Sequence, residues 1–337
     1  MYKKRVLLLN FHTADYLNMG ILHGLKEISN VEVIDFPKNE IILKGHEELY
    51  KSQIRGNAFT LFFLCENKFV DRFHLTFDKF RNNFFDLVIL GDIKNHFGTY
   101  IELLPFLKKN STIFIDGSDS PSIYPYDGYF WRRPYYWTLP RVHKKFIYFK
   151  REWTPETHYY RAYKLLPKKI ARFLFPLKNL RKISFSIPEE KIVKSLPIKI
   201  KLFPKHIVDE EIASKVEGSF TKYAFENEED YYNDLAKSKF GITTKRSGWD
   251  CLRHYEIAAN GAVICFKDLD KKPKTCAPHG LIPGKNCICY NSYEELMKII
   301  NSLSNNDYNN LQYNCWEWAK NNTTIKRAQE LLNQFLT

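Results

Sequence analysis

Hydrophobic and polar positions along the chain fall into two textures: short, unbroken apolar runs, and longer stretches with apolar residues at helical spacing. Residues 6–9 are wholly apolar and predict a buried strand. Residues 18–29 keep helical spacing, and 31–35 predict a second strand. That is a βαβ opening. Residues 60–65, 86–90, 112–115 and 146–149 read as further buried parallel strands, separated by amphipathic stretches such as 69–84. The loops after these strands share the carboxyl rim, where functional side chains of such sheets collect. They carry His12, Asp15, Asp92, Asp116 and Asp119. No GxGxxG follows the first strand, which disfavours a dinucleotide site there.

In the second half, 183–187 and 198–203 predict the opening strands of another unit, and residues 231–266 then read as helix, strand, loop, helix, strand. A polar helix ends near Lys237 and the strand 240–243 follows. The turn Thr244, Lys245, Arg246, Ser247, Gly248 leads to a second helix and the strand 262–266. Two cations and a glycine beside a helix N-terminus suit a diphosphate. On that helix Asp250, Arg253 and Glu256 are spaced three apart and drift around one side, and Asn260-Gly261 closes it. A carboxylate two turns in can accept both hydrogen bonds of a vicinal diol such as ribose; an Arg253–Glu256 ion pair on a solvated face explains the same spacing. Residues 271–284, with three prolines and two glycines, predict a loop, and 308–336 predict a helical tail.

A length of 337 residues predicts about two domains, and 44% hydrophobic with 26% charged residues excludes long disordered spans. The net charge of +13 points to an anionic partner: a phosphorylated substrate, an acidic membrane surface or nucleic acid. No RRM or helix-turn-helix pattern is legible, which argues against nucleic acid. Seven scattered cysteines read as free thiols of a reducing compartment, and the N-terminus reads as a first buried strand rather than a signal peptide. No stretch has the apolar length of a membrane span, so the expectation is a cytoplasmic chain, at most peripheral on a membrane. Residues 159–182 carry eight Lys or Arg and no acidic residue, interleaved with Tyr, Phe and Leu. They read as a solvated interdomain linker or as an element lying on anionic lipid. The aromatic segment 124–137 reads equally as an acceptor loop or as interdomain packing. Cys276, His279, Cys287 and Cys289 match no standard zinc spacing. Asp116 and Asp119 form a loose acidic pair of the metal-binding sort, in a run that reads as well as a turn.

The run Gly248-Trp-Asp-Cys-Leu-Arg-His-Tyr-Glu-Ile-Ala-Ala-Asn-Gly-Ala-Val-Ile264 resembles the donor-site signature of two-domain GT-B glycosyltransferases, closest to the exostosin-like and CgeB-like branches with their Arg three residues before the Glu. The resemblance implies an α/β chain of two Rossmann-like domains facing each other across a cleft. An acceptor-side domain would span 1–180, including the basic linker from about 159, and a nucleotide-sugar domain 181–315. A C-terminal helix, 316–337, would pack back on the first domain. It implies that Glu256 binds the donor ribose, that Lys245, Arg246 or Arg253 hold the diphosphate, and that Gly248 and Asp250 belong to the same donor site. Fixed cations and a helix N-terminus stabilise such a leaving group without a metal, so neither metal nor cofactor is expected. The partners implied are a nucleotide-sugar and a glycan or lipid-linked acceptor at the inner face of a membrane. If the reaction inverts configuration, a general base would come from His12, Asp15, Asp92, Asp116 or Asp119, with His12 first by position. One departure stands out: many retaining members carry a Glu where this chain has Gly248. A nucleic-acid-binding protein and a non-catalytic glycan-binding protein of the same fold are the alternatives.

Overall fold

A computed structural model describes residues 3–10, 14–50, 59–67, 79, 82–91, 93, 97–123, 142–158, 167, 169–170, 173, 177–222 and 224–334. His12 and Asp92, the aromatic segment 124–137 and most of the basic stretch 159–176 lie outside the described residues.

The chain opens as β1 (Lys4–Leu9), α1 (Tyr16–Glu27) and β2 (Val31–Phe36). It continues through β3 (Leu87–Leu90), α2 (Phe97–Leu103), β4 (Thr112–Asp116), β5 (Ile147–Lys150) and β6 (Leu180–Lys182). These strands form one sheet in the order β2-β1-β3-β4-β5-β6, with every pairing parallel. The unbroken apolar runs follow from burial on both faces. Val6, Leu8, Ile89 and Ile113 face one apolar cluster with α1, while Leu7, Leu9, Leu90 and Phe114 face another with Phe146 and Tyr148.

Two strand expectations are corrected. Residues 60–65 are no strand, because Thr60 (φ 71°) and Phe63 (φ 51°) take left-handed backbone; their apolar character serves a packed turn joined to residues 41–44 by the bridge Leu43–Cys65 and by backbone hydrogen bonds from Phe63, Leu64 and Cys65. The sixth strand is instead β6, the last residues of the basic stretch, where the register of β5 with Leu180, Arg181 and Lys182 extends the sheet. Residues 183–187 then leave the sheet, with Ile187 bridging Thr323.

The second half forms α3 (Glu228–Lys237), β7 (Phe240–Thr243), α4 (Leu252–Ala259), β8 (Val263–Lys267) and β9 (Cys287–Tyr290). These three strands pair in parallel in the order β7-β8-β9. Residues 201–202 run beside β7, accepting the N–H groups of Lys239 and Phe240. Then come α5 (Tyr293–Ser302), α6 (Asn305–Lys320) and α7 (Thr324–Asn333). The expected single tail helix is two, because the Thr323 side chain caps a new helix by accepting the Lys326 N–H. The last helix, α7, lies against α1. Gly24 makes that approach possible: a Cβ there would sit 2.0 Å from the Thr324 carbonyl oxygen. One apolar cluster runs from Met19 and Leu22 through Ala328 and Leu331 to Trp318, Tyr255 and Phe266, so the two sheets share a core. Among the described residues no helix is long and apolar enough to cross a membrane.

Candidate active site at the facing carboxyl rims

Helix α4 begins after the turn that follows β7, and its eight residues place Glu256 on the side that meets the first half of the chain. Glu256 is buried. Its Oε2 accepts from the Tyr231 hydroxyl at 2.8 Å, and its Oε1 accepts from the Thr60 hydroxyl. Burial pushes its carboxyl up, offset in part by those two hydrogen bonds and by Arg253. Thr60 Oγ1 also meets the Tyr232 hydroxyl at 2.8 Å. Tyr16, at the start of α1, packs edge-on to Phe62 and Phe185; burial and then the Glu256 charge raise its pKa. The carboxylate therefore sits in a nest of hydroxyls drawn from both halves.

Arg253 acts on this carboxylate electrostatically. Burial, then the charges of Arg253 and Arg246, push His206 down to about 4, which puts both guanidinium groups within electrostatic reach of that imidazole. Lys245, Arg246 and Ser247 are exposed, with the Lys245 ammonium 5.2 Å from the Trp249 ring centroid and the Arg246 N–H bonded to the Gly248 carbonyl at 3.2 Å. Cys251 precedes the helix; its Sγ lies 3.5 Å from His254 Nε2, and the imidazole stacks on Phe266. Burial alone would raise that thiol, yet His254 outweighs it and brings the Cys251 pKa down to about 7. The combination of a helix N-terminus and exposed cations near one buried carboxylate can hold an anion joined to a diol.

The first half reaches this loop through the charged end of β5. Lys150 donates to Asp116 Oδ2 at 2.8 Å, and Asp116 also accepts from the Tyr148 hydroxyl at 2.7 Å and the Ser118 N–H at 3.0 Å. Burial would raise the Asp116 carboxyl, but Lys150 and these hydrogen bonds hold it low. Arg151, almost fully buried, donates to the Gly117 carbonyl at 2.9 Å and the Asp250 carbonyl at 2.8 Å, and pairs with Asp119. Glu152 accepts from the Trp249 N–H at 2.8 Å and the Cys276 thiol at 2.9 Å. Asp250 is buried, taking the Phe185 N–H at 2.8 Å and the Tyr255 hydroxyl at 3.0 Å; burial raises its carboxyl. Asp15 caps α1, accepting from the Leu17 and Asn18 N–H groups.

Of the residues singled out by sequence, Arg253 acts electrostatically on Glu256, Arg246 and Arg253 both act on His206, and Asp119 lies against Gly248 while Asp250 is tied to Arg151 beside it. Asp15 and Asp116 are bonded within the first half. Sequence reading missed His206, Thr60, Tyr231 and Glu152. His206 carried a usable signal, since it follows three residues after the strand-like run 198–203; Glu152 closes a charged triplet after an apolar strand. Among the described residues no group of three or more His, Cys, Asp or Glu side chains could hold a metal ion.

Known structures share this fold over the full length. A glycosyltransferase of Rickettsia africae ESF-5 aligns with a TM-score of 0.54 and 10% identity, covering 99% of this chain and 98% of that one. The fold is that of the GT-B glycosyltransferases. The GT-B likeness extends to Anabaena HepE in complex with UDP-glucose (TM-score 0.52, 9% identity, 98% and 99% covered). It extends also to the sucrose-phosphate synthase of Thermosynechococcus elongatus (TM-score 0.52, 10% identity, 99% of each chain). No protein-family model matches the sequence, and no curated protein matches it.

Proposed function

We propose that the protein is a glycosyltransferase that moves a sugar from a nucleotide-sugar donor to a glycan, glycolipid or polysaccharide precursor, without a metal. The observation that carries this reading is the buried Glu256 on the helix after β7, with Arg253 acting on it electrostatically and Arg246 and Arg253 both acting on His206, within a GT-B fold. Glu256 takes the ribose diol. Arg253 and the Lys245–Arg246 turn take the diphosphate, and their fixed charge stabilises the negative charge that grows on the leaving group. The printed ligand of HepE, UDP-glucose, supports this class of donor. Asp250 serves the donor site indirectly, by tying the start of α4 to Phe185 and Tyr255. The span from 1 to about 180 forms the acceptor side and 181–315 the donor side, with the chain's basic surface turned to an anionic membrane. The exostosin-like and CgeB-like affinity rests on the Arg253–Glu256 spacing.

A thermal-shift panel of UDP, GDP, CMP, dTDP and ADP tests the reading. One nucleotide raises Tm strongly, because binding to the folded state alone stabilises by mass action, by about 2.7 kcal/mol at a hundredfold excess over Kd. Glu256→Ala abolishes that rise. A panel in which nothing shifts, or an alanine variant that shifts like the wild type, refutes the donor assignment.

A further inference from the structure

Gly248 stands two residues after Arg246 in the turn assigned to the diphosphate. A Cβ on it would lie 2.6 Å from Asp119 Oδ1 and 2.6 Å from Glu152 Oε1, closer than side-chain atoms approach. The glycine is required there by close approach, since two carboxylates from the first half of the chain touch the loop at that point. They differ in how far they are committed. The Glu152 side chain is 3% exposed, with the Trp249 N–H, the Cys276 thiol and Arg151 around its oxygens. The Asp119 side chain is 49% exposed and pairs with Arg151. That arginine is immobile: it is bonded to the Gly117 and Asp250 carbonyls and lies 4.4 Å from the Phe185 ring centroid. Glu152 is built into the scaffold, whereas Asp119 is pinned from one side and open to solvent on the other.

We propose that Asp119, laid over Gly248 from the first half of the chain, is the carboxylate that accepts a hydroxyl of the transferred sugar, and so selects a nucleotide-sugar over the free nucleotide. The inference rests on the donor reading above. A glycosyl group pendant from a diphosphate held by Lys245 and Arg246 lies against the Gly248 end of the same turn. It is uncharged and rich in hydroxyl donors. A carboxylate has lone pairs for about four hydrogen bonds, so pairing with one guanidinium leaves acceptor capacity for a hydroxyl. The same negative charge repels the terminal phosphate of a free nucleoside diphosphate. Attraction to the sugar and repulsion of the bare phosphate act in the same direction.

Isothermal calorimetry with UDP, UDP-glucose, GDP and GDP-mannose, on the wild type, Asp119→Asn and Asp119→Ala, tests this. The wild type prefers the nucleotide-sugar of its pair. Both variants lose affinity for that nucleotide-sugar by about tenfold or more, the loss of one hydrogen bond to a charged group. They bind the free nucleotide as well as the wild type or better. Variants that bind both ligands like the wild type overturn the assignment while leaving the donor site standing. Equal losses for both ligands also overturn it, by showing that Asp119 acts only through Arg151 and the loop. The same measurement is run with whichever of the five panel nucleotides the wild type binds and its nucleotide-sugar, and a wild type that binds none of the five overturns the donor reading and this one together.

Discussion

Replacing Glu152 by alanine strikes the contact through which the first half of the chain holds the loop before α4. The carboxylate accepts from the Trp249 N–H at 2.8 Å, from the Cys276 thiol at 2.9 Å and, at a longer 3.3 Å, from Arg151, all in buried surroundings. Alanine leaves the Trp249 N–H buried without this partner, which costs about 1–3 kcal/mol, and removes hydrogen bonds to a charged group worth about 1.5–3 kcal/mol. Arg151 is not orphaned, because Asp119 and two carbonyls still hold it, so the sum settles near 3–5 kcal/mol. Glu152→Gln keeps an acceptor for Trp249 in the same shape and loses about 1–2 kcal/mol. Urea unfolding followed by tryptophan fluorescence, with linear extrapolation to water, reads both values. A Glu152→Ala variant within about 1 kcal/mol of the wild type shows that the loop is held by other contacts, and the argument from buried hydrogen bonds fails.

Two further outcomes follow from titration. Cys251 is the one cysteine with a lowered pKa, about 7, against six that burial pushes up, so iodoacetamide labels a single thiol with a midpoint near pH 7 and Cys251→Ser removes that phase. Rapid labelling of two or more thiols in the folded protein contradicts this. His206, held down at about 4, is neutral at pH 7; its NMR resonances stay still between pH 8 and 6. Because an unfolded histidine titrates near 6.5, its contribution to stability is complete above that pH and is lost as pH falls toward 4; a His206→Gln variant unfolds with a shallower acid limb, and an unchanged limb counts against the assignment.

The parallel strands were legible because strands buried on both faces need unbroken apolar runs, as in β1 and β3. That same rule misled at 60–65, where the apolar side chains pack beneath a turn and the left-handed backbone of Thr60 and Phe63 leaves no mark in composition. Strand β6 was hidden for the opposite reason: a three-residue edge strand buries little and keeps its arginine and lysine. At the site, α4 was readable because cap, spacing and exit all lie in one continuous run. The Glu152–Trp249 hydrogen bond joins residues 97 positions apart, and no local pattern encodes a partner at that separation. The same holds for Thr60 on Glu256.

The hydroxyl of Thr60 on Glu256 has a bearing on selectivity. The two carboxylate oxygens hold one hydroxyl each, from Thr60 and Tyr231, spaced by the protein rather than by a sugar ring. Each oxygen keeps a further lone pair, so under the proposed ribose assignment an arriving diol shares the carboxylate with Thr60 and Tyr231 rather than displacing them, and each new hydrogen bond adds only about 0.5–1.5 kcal/mol. A ligand that offers both hydroxyls at once, with its phosphates already docked, uses the remaining site on each oxygen. Glu256 would then favour a correctly spaced pair of hydroxyls over a single one.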